Sequence, residues 1–163
     1  MPNTYTQLYI HIVFAVKGRQ QFITEAYREA IQKYISGIIS NKNQKLYAIF
    51  CMPDHTHIFV SLQPNIAISD LVRDIKSNST AWIKFTFSSL KSFAWQEGFG
   101  AFSYSKSQAD NVVSYIANQP KHHKKKTFRQ EYIEFLKAFD ISFDNKYLFE
   151  FYDEECIAPT ELK

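Results

Sequence analysis

The stretch from Thr4 to Val16, TYTQLYIHIVFAV, alternates between two kinds of position. From Thr6 to Val16 the even-numbered residues are almost all apolar, whereas the odd-numbered ones are mixed and include His11. A period of two, with many β-branched and aromatic residues, predicts a strand with one face on a core. His11 is therefore expected on the face that points away from that core.

The elements predicted after this strand decide the fold class. Thr24 is expected to cap a helix, because isoleucines and a tyrosine recur behind it at helical spacing. Two strands follow, and the short break at Pro53 and Asp54 between them predicts an antiparallel hairpin. Ser107 is expected to cap a later helix that Pro120 ends near Gln119. The predicted strands cover 44–52, 55–62 and 100–105, and the later helices 67–87, 108–119 and 127–140.

The order β-α-β-β-α-β, followed by more helix, is typical of the split βαβ or ferredoxin-like arrangement. We therefore predict an α+β fold in which helices cover one face of an antiparallel sheet and a C-terminal helix follows. The other face is expected to stay open for chemistry or a partner. A length of 163 residues without repeats or a low-complexity linker predicts a single domain over 1–163. The segment 141–155 is expected to add a short strand or to wrap the surface.

Composition limits the compartment and the partners. Cys51 and Cys156 form no spaced metal pattern, and two thiols suit a reducing cytoplasm. The N-terminus has no apolar signal core, and no apolar run is long enough to span a bilayer. We therefore expect a cytoplasmic protein with no membrane partner. A net charge of +3 and an aromatic content of 17% are compatible with a nucleic-acid partner without establishing one.

The segment MPDHTHIFVSL contains His55 and His57 at strand spacing. Residues two apart in a strand share a face, so both imidazoles are expected opposite the apolar face that carries Ile58 and Val60. Two imidazoles so placed can bind one divalent cation, with further ligands coming from elsewhere. A bare His-x-His is more often a pair of surface histidines, so the motif needs support from other residues.

That support comes from the predicted helix NVVSYIANQ. Tyr115 and Gln119 are four residues apart and share a helix face, with Asn111 one turn earlier. Val112 and Ile116 are expected to face the core. A metal that polarises a phosphate would make a tyrosine hydroxyl a workable nucleophile, and Gln119 could supply an oxygen ligand.

These segments resemble the HUH-class single-tyrosine transposases, the TnpA-type, IS200-like enzymes of small bacterial insertion sequences. The motif appears here as PDHTHIFVSL, with Thr56 in its middle position, and the nucleophile helix as NVVSYIANQ. The segments YTQLYIHIVFAVKGRQ, SDLVRDIKSNST and WQEGFGAFSYSKSQ also resemble the family. The resemblance covers 5–151 and leaves a tail over 152–163. Pro120 directly after Gln119 predicts a departure from a continuous helix at that ligand.

The resemblance implies a mechanism and partners. Tyr115 would attack a phosphodiester of single-stranded DNA, form a 5′-phosphotyrosine and release a 3′-hydroxyl that later rejoins strands. His55, His57 and Gln119 would hold Mg²⁺ or Mn²⁺, and no nucleotide cofactor would be needed. Family members are homodimers that recognise DNA hairpins near the ends of the element. The protein would be associated with the nucleoid when it is bound to DNA.

Other residues are candidates for supporting roles. His11 could hydrogen-bond the scissile phosphate or the metal shell, or serve as a buried structural histidine, and Asn111 is an accessory candidate beside Tyr115. His122 and His123 are expected to belong to the basic run KHHKKK rather than to a metal site. The candidate phosphate contacts are Lys17, Arg19, Arg73, Lys76, Lys121, Lys124 and Lys125. The candidate base-stacking or core aromatics are Trp95, Phe99, Phe102 and Tyr104.

Three alternatives to a transposase remain open from the sequence. A domesticated relative would process single-stranded DNA hairpins with the same residues. A non-catalytic module would bind nucleic acid on a ferredoxin-like sheet. A hydrolytic metallonuclease would use water in place of Tyr115 and would survive its substitution.

Overall fold

A single antiparallel sheet forms the centre of the protein, of which the computed structural model describes residues 2–144 and 148. The strands are β1 (Tyr9–Ala15), β2 (Lys45–Cys51), β3 (His55–Ser61) and β4 (Gly100–Tyr104). Their order is β2-β3-β1-β4, and every neighbouring pair is antiparallel. This order confirms the ferredoxin-like, α+β prediction. Of the predicted tail element, 141–144 form no helix or strand, and 145–147 and 149–155 lie outside the described residues.

Two long helices, α1 (Glu25–Asn41) and α2 (Ile68–Thr86), cover the first face of the sheet. The even-numbered residues of β1 pack there against isoleucines of α1 and against Leu71 and Ile75 of α2. Ile12 and Phe14 are fully buried in this cluster. The apolar half of the β1 pattern therefore builds the main core, as the alternation predicts.

The second face of the sheet is not open, contrary to the prediction. Three shorter helices follow β4: α3 (Ala109–Ala117), α4 (Gln119–His122) and α5 (Phe128–Ala138). Val112 and Ile116 of α3 pack on Tyr9 and Phe59, so they face this second side rather than the main core. α5 packs on the same face through the cluster of Val13, Ala15, Phe102, Phe128, Tyr132 and Leu136. The odd-numbered side chains of β1 are apolar enough that they too must be buried, here beneath the shorter helices.

The helix that carries Tyr115 ends just before Gln119. α3 ends at Ala117, Asn118 has φ −99° and ψ 17°, and Gln119 opens α4. Pro120 occupies the first turn of α4, where its missing N–H costs nothing. Pro120 therefore begins a new short helix, and the predicted departure from a continuous helix at Gln119 is confirmed.

The start of this helical region also differs from the prediction. Ser105, not Ser107, forms the capping box, and its partner is Gln108 in a short 3₁₀ turn that leads into α3. Among the described residues, none of the helices combines the length and the apolar character that crossing a membrane requires.

Candidate active site

β3 places His55 and His57 side by side on the second face of the sheet. The register sets His57 opposite Val13 and His55 opposite Ala15, whose small side chains leave room for two imidazole rings. Both histidines are buried, and the His55 ring stacks on Phe128 of α5 at a centroid distance of 3.9 Å. The shared strand face predicted from the His-x-His spacing is therefore present, but inside the protein.

Two further side chains converge on the pair. Glu131 of α5 brings its Oε1 to 3.1 Å from His57 Nε2 and 3.9 Å from His55 Nε2. His123, just after α4, places its Nε2 3.4 Å from the same carboxylate oxygen. One nitrogen or oxygen atom from each of the four residues lies within 4.8 Å of the others. We call His55, His57, His123 and Glu131 the ligand cluster.

The ligand cluster has the properties of a metal site. Nε2 of His55, Nε2 of His57 and Oε1 of Glu131 are buried and make no hydrogen bond of normal geometry among the described residues, although the last two atoms lie 3.1 Å apart. Buried polar atoms are nearly always satisfied, so three such atoms that converge on one point indicate a shared partner. Imidazole nitrogen and carboxylate oxygen are both usual ligands of divalent cations. The residues present therefore fit a metal ion.

Neighbouring groups fix the orientation of both strand histidines. Asp54 Oδ1 lies 2.7 Å from His55 Nδ1, and Arg19 Nε donates to Asp54 Oδ2 over 2.9 Å. His11 Nε2 and His57 Nδ1 share a hydrogen bond of 2.9 Å. In each histidine the Nδ1 atom is therefore occupied by its neighbour, and Nε2 is turned toward the cluster. This arrangement, in which the second ring nitrogen is held, is usual in metal-binding histidines.

The Tyr115 hydroxyl donates a hydrogen bond to the Glu131 carboxylate. Gln119 Nε2 donates to the same carboxylate over 3.2 Å, and Gln119 Oε1 is 2.9 Å from His123 Nε2. Tyr115 is half-buried at the edge of the cluster, and Gln119 is fully buried. The candidate nucleophile and the predicted third ligand therefore both reach the site from the short helices α3 and α4.

Burial and charge shift the pKa values of these groups in opposite directions. Burial, with the added charge of Glu131, raises the pKa of Tyr115 far above its usual value. Burial alone would raise the pKa of Glu131, but His57 and His123 outweigh it and hold that pKa far below its usual range. Burial lowers the pKa of His55 to about 4. Without a cation, the site therefore holds an ionised glutamate, a neutral His55 and a protonated tyrosine.

The other residues predicted from the sequence differ in how close they lie to the ligand cluster. His11 is buried beside His57, and Asn111 is exposed one turn before Tyr115. Lys124 and Lys125 line a polar pocket of about 360 Å³ together with His55 and His123, and Lys121 is exposed on α4. His11, Lys124 and Lys125 therefore lie beside the ligand cluster. Lys17 is exposed just beyond β1.

Three of the predicted DNA contacts already have other partners. Arg19 is buried and ion-paired with Asp54, so its charge serves the orientation of His55. Lys76 donates to the backbone oxygens of Gln96 and Gly98, over 2.8 and 2.5 Å. Arg73 is paired with Asp70 and Asp74 on the exposed side of α2, which covers the other face of the sheet. These geometries give Arg19 and Lys76 structural roles, and the phosphate contacts expected for them stay predictions.

Sequence reasoning missed three residues of the site: Asp54, His123 and Glu131. Asp54 directly precedes His55, and Glu131 lies on the apolar side of α5 between Phe128 and Phe135, so both had a readable signal. His123 was assigned to the basic run, and its position depends on the helix break before Gln119. Of the four aromatic candidates, Trp95 and Phe102 are buried, whereas Phe99 and Tyr104 are partly exposed.

Comparison with known proteins matches this chain to one protein family. Residues 4–119 match the family model described as "Transposase IS200 like". The ISDra2 transposase TnpA of Deinococcus radiodurans is 25% identical over 118 residues, which are 69% of this chain and 84% of that protein. The transposase of insertion sequence element IS200 from Salmonella typhimurium is 26% identical over 114 residues, 67% of this chain and 74% of that protein.

Solved structures share the fold. A crystal structure of a Deinococcus radiodurans protein assigned as a transposase superposes with a TM-score of 0.62 at 22% identity, over 73% of this chain and 95% of that one. A REP-associated tyrosine transposase bound to a REP hairpin gives a TM-score of 0.56 at 20% identity, over 76% of this chain and 73% of that one. His123 and Glu131 lie beyond the last residue that the family model matches.

Proposed function

Because the chain belongs to the IS200-like transposase family, we propose that this single-stranded DNA transposase cuts and rejoins its substrate through Tyr115. The supporting observation is the hydrogen bond between the Tyr115 hydroxyl and Glu131, which puts a nucleophile beside the ligand cluster. A phenol hydroxyl in reach of a carboxylate and a metal site is the arrangement that nucleophilic catalysis on a phosphodiester needs.

The reaction proceeds in two balanced steps. Tyr115 Oη, oriented by its hydrogen bond to Glu131, attacks the scissile phosphorus and releases its proton to the solvent, because the pKa of Glu131 is held too low for that carboxylate to keep it. The bond from phosphorus to the 3′-oxygen breaks, the leaving oxygen takes up a proton, and the 5′ side stays on Tyr115 as a phosphotyrosine. A 3′-hydroxyl then attacks the phosphotyrosine and releases Tyr115. The number of phosphoester bonds is unchanged, so no nucleotide cofactor is required.

A divalent cation is expected in the ligand cluster. His55 and His57 would be joined by Glu131 and His123, with the Gln119 oxygen next to His123 as the ligand that the sequence predicts. When bound, the cation polarises the scissile phosphate and offsets the charge that develops there. Of Mg²⁺ and Mn²⁺, we propose Mn²⁺, since Mg²⁺ prefers oxygen ligands and this set is rich in imidazole nitrogen.

The DNA backbone would pass over the basic pocket beside the cluster. Lys124 and Lys125 line this pocket and Lys121 is exposed on the preceding α4, so they offer phosphate contacts. A relative of the same fold is described as bound to a REP hairpin. We propose that hairpins at the ends of the genetic element are the substrate, and that a homodimer binds them. Light scattering at micromolar concentration should give twice the chain mass; a monomer would contradict the dimer.

A covalent-adduct assay tests the proposed chemistry. The full chain is mixed with Mn²⁺ and labelled single-stranded DNA from the ends of its own locus, then run on a denaturing protein gel. We expect a DNA-shifted band that is lost in Tyr115→Phe, while DNA affinity is kept. Tyr34→Phe is a matched control, because Tyr34 lies in α1 on the other side of the sheet and stacks on Trp82.

The other outcomes separate the alternatives. Cut DNA without a shifted band would indicate hydrolysis by water. Tight binding with neither cutting nor a shifted band would favour a non-catalytic module. His55→Ala and His57→Ala should each abolish cleavage, and normal rates in both variants would overturn the metal assignment.

A further inference from the structure

Tyr115 lines a second pocket, which is separate from the basic pocket. Its volume is about 230 Å³, and it shares no lining residue with the basic pocket. Its walls come from β1, β4, α3 and α5 through His11, Tyr104, Val112, Tyr115 and Phe135. None of the four residues of the ligand cluster lines it. The metal chemistry therefore leaves this cavity without a role.

The walls of this pocket are mostly aromatic. The ring centroids of Phe135, Tyr115 and Tyr104 lie 5.2, 6.3 and 6.4 Å from that of His11, which is itself buried. Tyr115 and Phe135 meet edge to face at 5.8 Å. A half-buried cavity walled by rings suits a flat, unpaired base, because aromatic side chains stack on any base.

The rim of the pocket carries two side-chain amides. Gln108 is held by the capping box, in which its Oε1 accepts from the Ser105 backbone N–H over 3.2 Å. Asn111 is exposed at the rim on α3, one turn before Tyr115. Asparagine can donate and accept at once, which matches the edge of a nucleobase.

We propose that this pocket binds the base of the nucleotide next to the scissile phosphate, stacked on the rings and read at its edge by Asn111. The inference rests on the proposed function, because the phosphate must lie at the Tyr115 hydroxyl for attack. Because Tyr115 also lines the pocket, the base next to that phosphate can reach it. The volume is below the range of about 300–1,000 Å³ usual for drug-sized ligands, as expected for a single base.

The position of the aromatic pocket beside the reacting Tyr115 indicates what the pocket binds. The strand that reaches Tyr115 must leave it in two directions, and the structure offers two different surfaces. Lys124 and Lys125 line the pocket at His55 and His123, whereas the aromatic pocket contains no lysine or arginine. The first suits phosphates and the second a base. The strand is therefore held by charge on one side of the cut and by stacking on the other.

Abasic scanning tests this inference. Each nucleotide around the cut in a cleavable single-stranded DNA is replaced in turn by an abasic site, and kcat/KM for cleavage is measured. We expect one adjacent position to lose about fivefold or more, from the loss of stacking. In Asn111→Ala the natural DNA should be cut more slowly, and the preference among the four bases at that position should flatten. Asn78→Ala, an exposed asparagine of α2, is the matched control.

The outcomes distinguish this inference from the proposed function. If cleavage and the covalent adduct are normal but no abasic position next to the cut has an effect, the pocket assignment is overturned and the function stands. Unchanged base preference in Asn111→Ala would equally overturn the role of Asn111. If no DNA gives an adduct, the proposed function itself fails. Phe135→Leu, which keeps an apolar side chain, should lower cleavage of natural DNA and leave abasic DNA unaffected.

Discussion

The Tyr115 hydroxyl donates to one Glu131 oxygen, and the other oxygen lies 3.1 Å from His57 Nε2. A single carboxylate thus contacts both the candidate nucleophile and the ligand cluster. Burial, and then the charge of Glu131, raise the pKa of Tyr115, so the hydroxyl is protonated while Glu131 stays ionised beside it. A cation that binds Glu131 would withdraw that charge from Tyr115. Metal binding and activation of the nucleophile are therefore coupled through Glu131.

Glu131→Gln should weaken Mn²⁺ binding and also lower the pKa of Tyr115. The variant keeps the shape of the side chain and removes the charge that raises that pKa. We expect a loss in metal affinity of at least about tenfold by calorimetry, since removing even an outer partner of a metal ligand costs about that much. Spectrophotometric titration of the tyrosines, with Tyr115→Phe as the reference, measures the pKa of Tyr115. Unchanged metal affinity would remove Glu131 from the ligand cluster.

Gln119→Ala separates the predicted third ligand from the observed cluster. Gln119 Oε1 faces His123, and its amide nitrogen donates to Glu131. If the four-residue cluster holds the cation, the loss of Mn²⁺ affinity should be smaller in Gln119→Ala than in Glu131→Gln. A larger loss in Gln119→Ala would restore His55, His57 and Gln119 as the ligand set. Both variants are compared in one calorimetric series.

Asp54→Asn should lower metal affinity about 10- to 100-fold without abolishing DNA binding. Asp54 holds His55 Nδ1 at 2.7 Å, and its charge is balanced by Arg19. The amide keeps the size of the side chain but can present a donor to Nδ1, which favours the wrong tautomer. Asp70→Asn, on the exposed side of α2, is the matched control. Wild-type Mn²⁺ affinity in Asp54→Asn would show that His55 needs no such support.

The metal-free protein should lose stability as the pH falls below about 6.5. Burial lowers the pKa of His11 well below that value and that of His55 to about 4. The unfolded chain then binds more protons than the folded one, so the free energy of unfolding falls by up to about 1.4 kcal/mol per pH unit for each histidine. Urea unfolding in the presence of a chelator measures this slope. His11→Phe should make it shallower; an equal slope would contradict the role of His11.

Removing two lysines at the basic pocket should make DNA binding less dependent on salt. Each phosphate contact on single-stranded DNA contributes about 0.7 to the slope of log K against log salt. The double substitution Lys124→Ala and Lys125→Ala should therefore lower the slope by about 1.4. Arg73→Ala, on the other face of the sheet, should leave the slope unchanged. A lower slope in Arg73→Ala would put DNA on α2 as well.

The sequence predicted the fold and the strand histidines because both depend on short-range periodicity. Period two places His55 and His57 on one face, and an i, i+4 spacing relates Tyr115 to Gln119. Glu131 and His123 could not be placed in this way, because their approach depends on how α4 and α5 fold back over the sheet. The sequence did not predict that helices cover the second face of the sheet, because an alternating pattern does not show what packs on a strand.

β1 buries all seven of its residues, since it lies between the α1–α2 layer and the α3–α5 layer. Its even-numbered side chains stabilise the fold, and its odd-numbered ones include His11, which contacts His57. A substitution on this strand therefore damages either the packing of the core or the environment of the site. Mutational tolerance should be lowest along β1, and random variation should accumulate instead on the exposed side of α2.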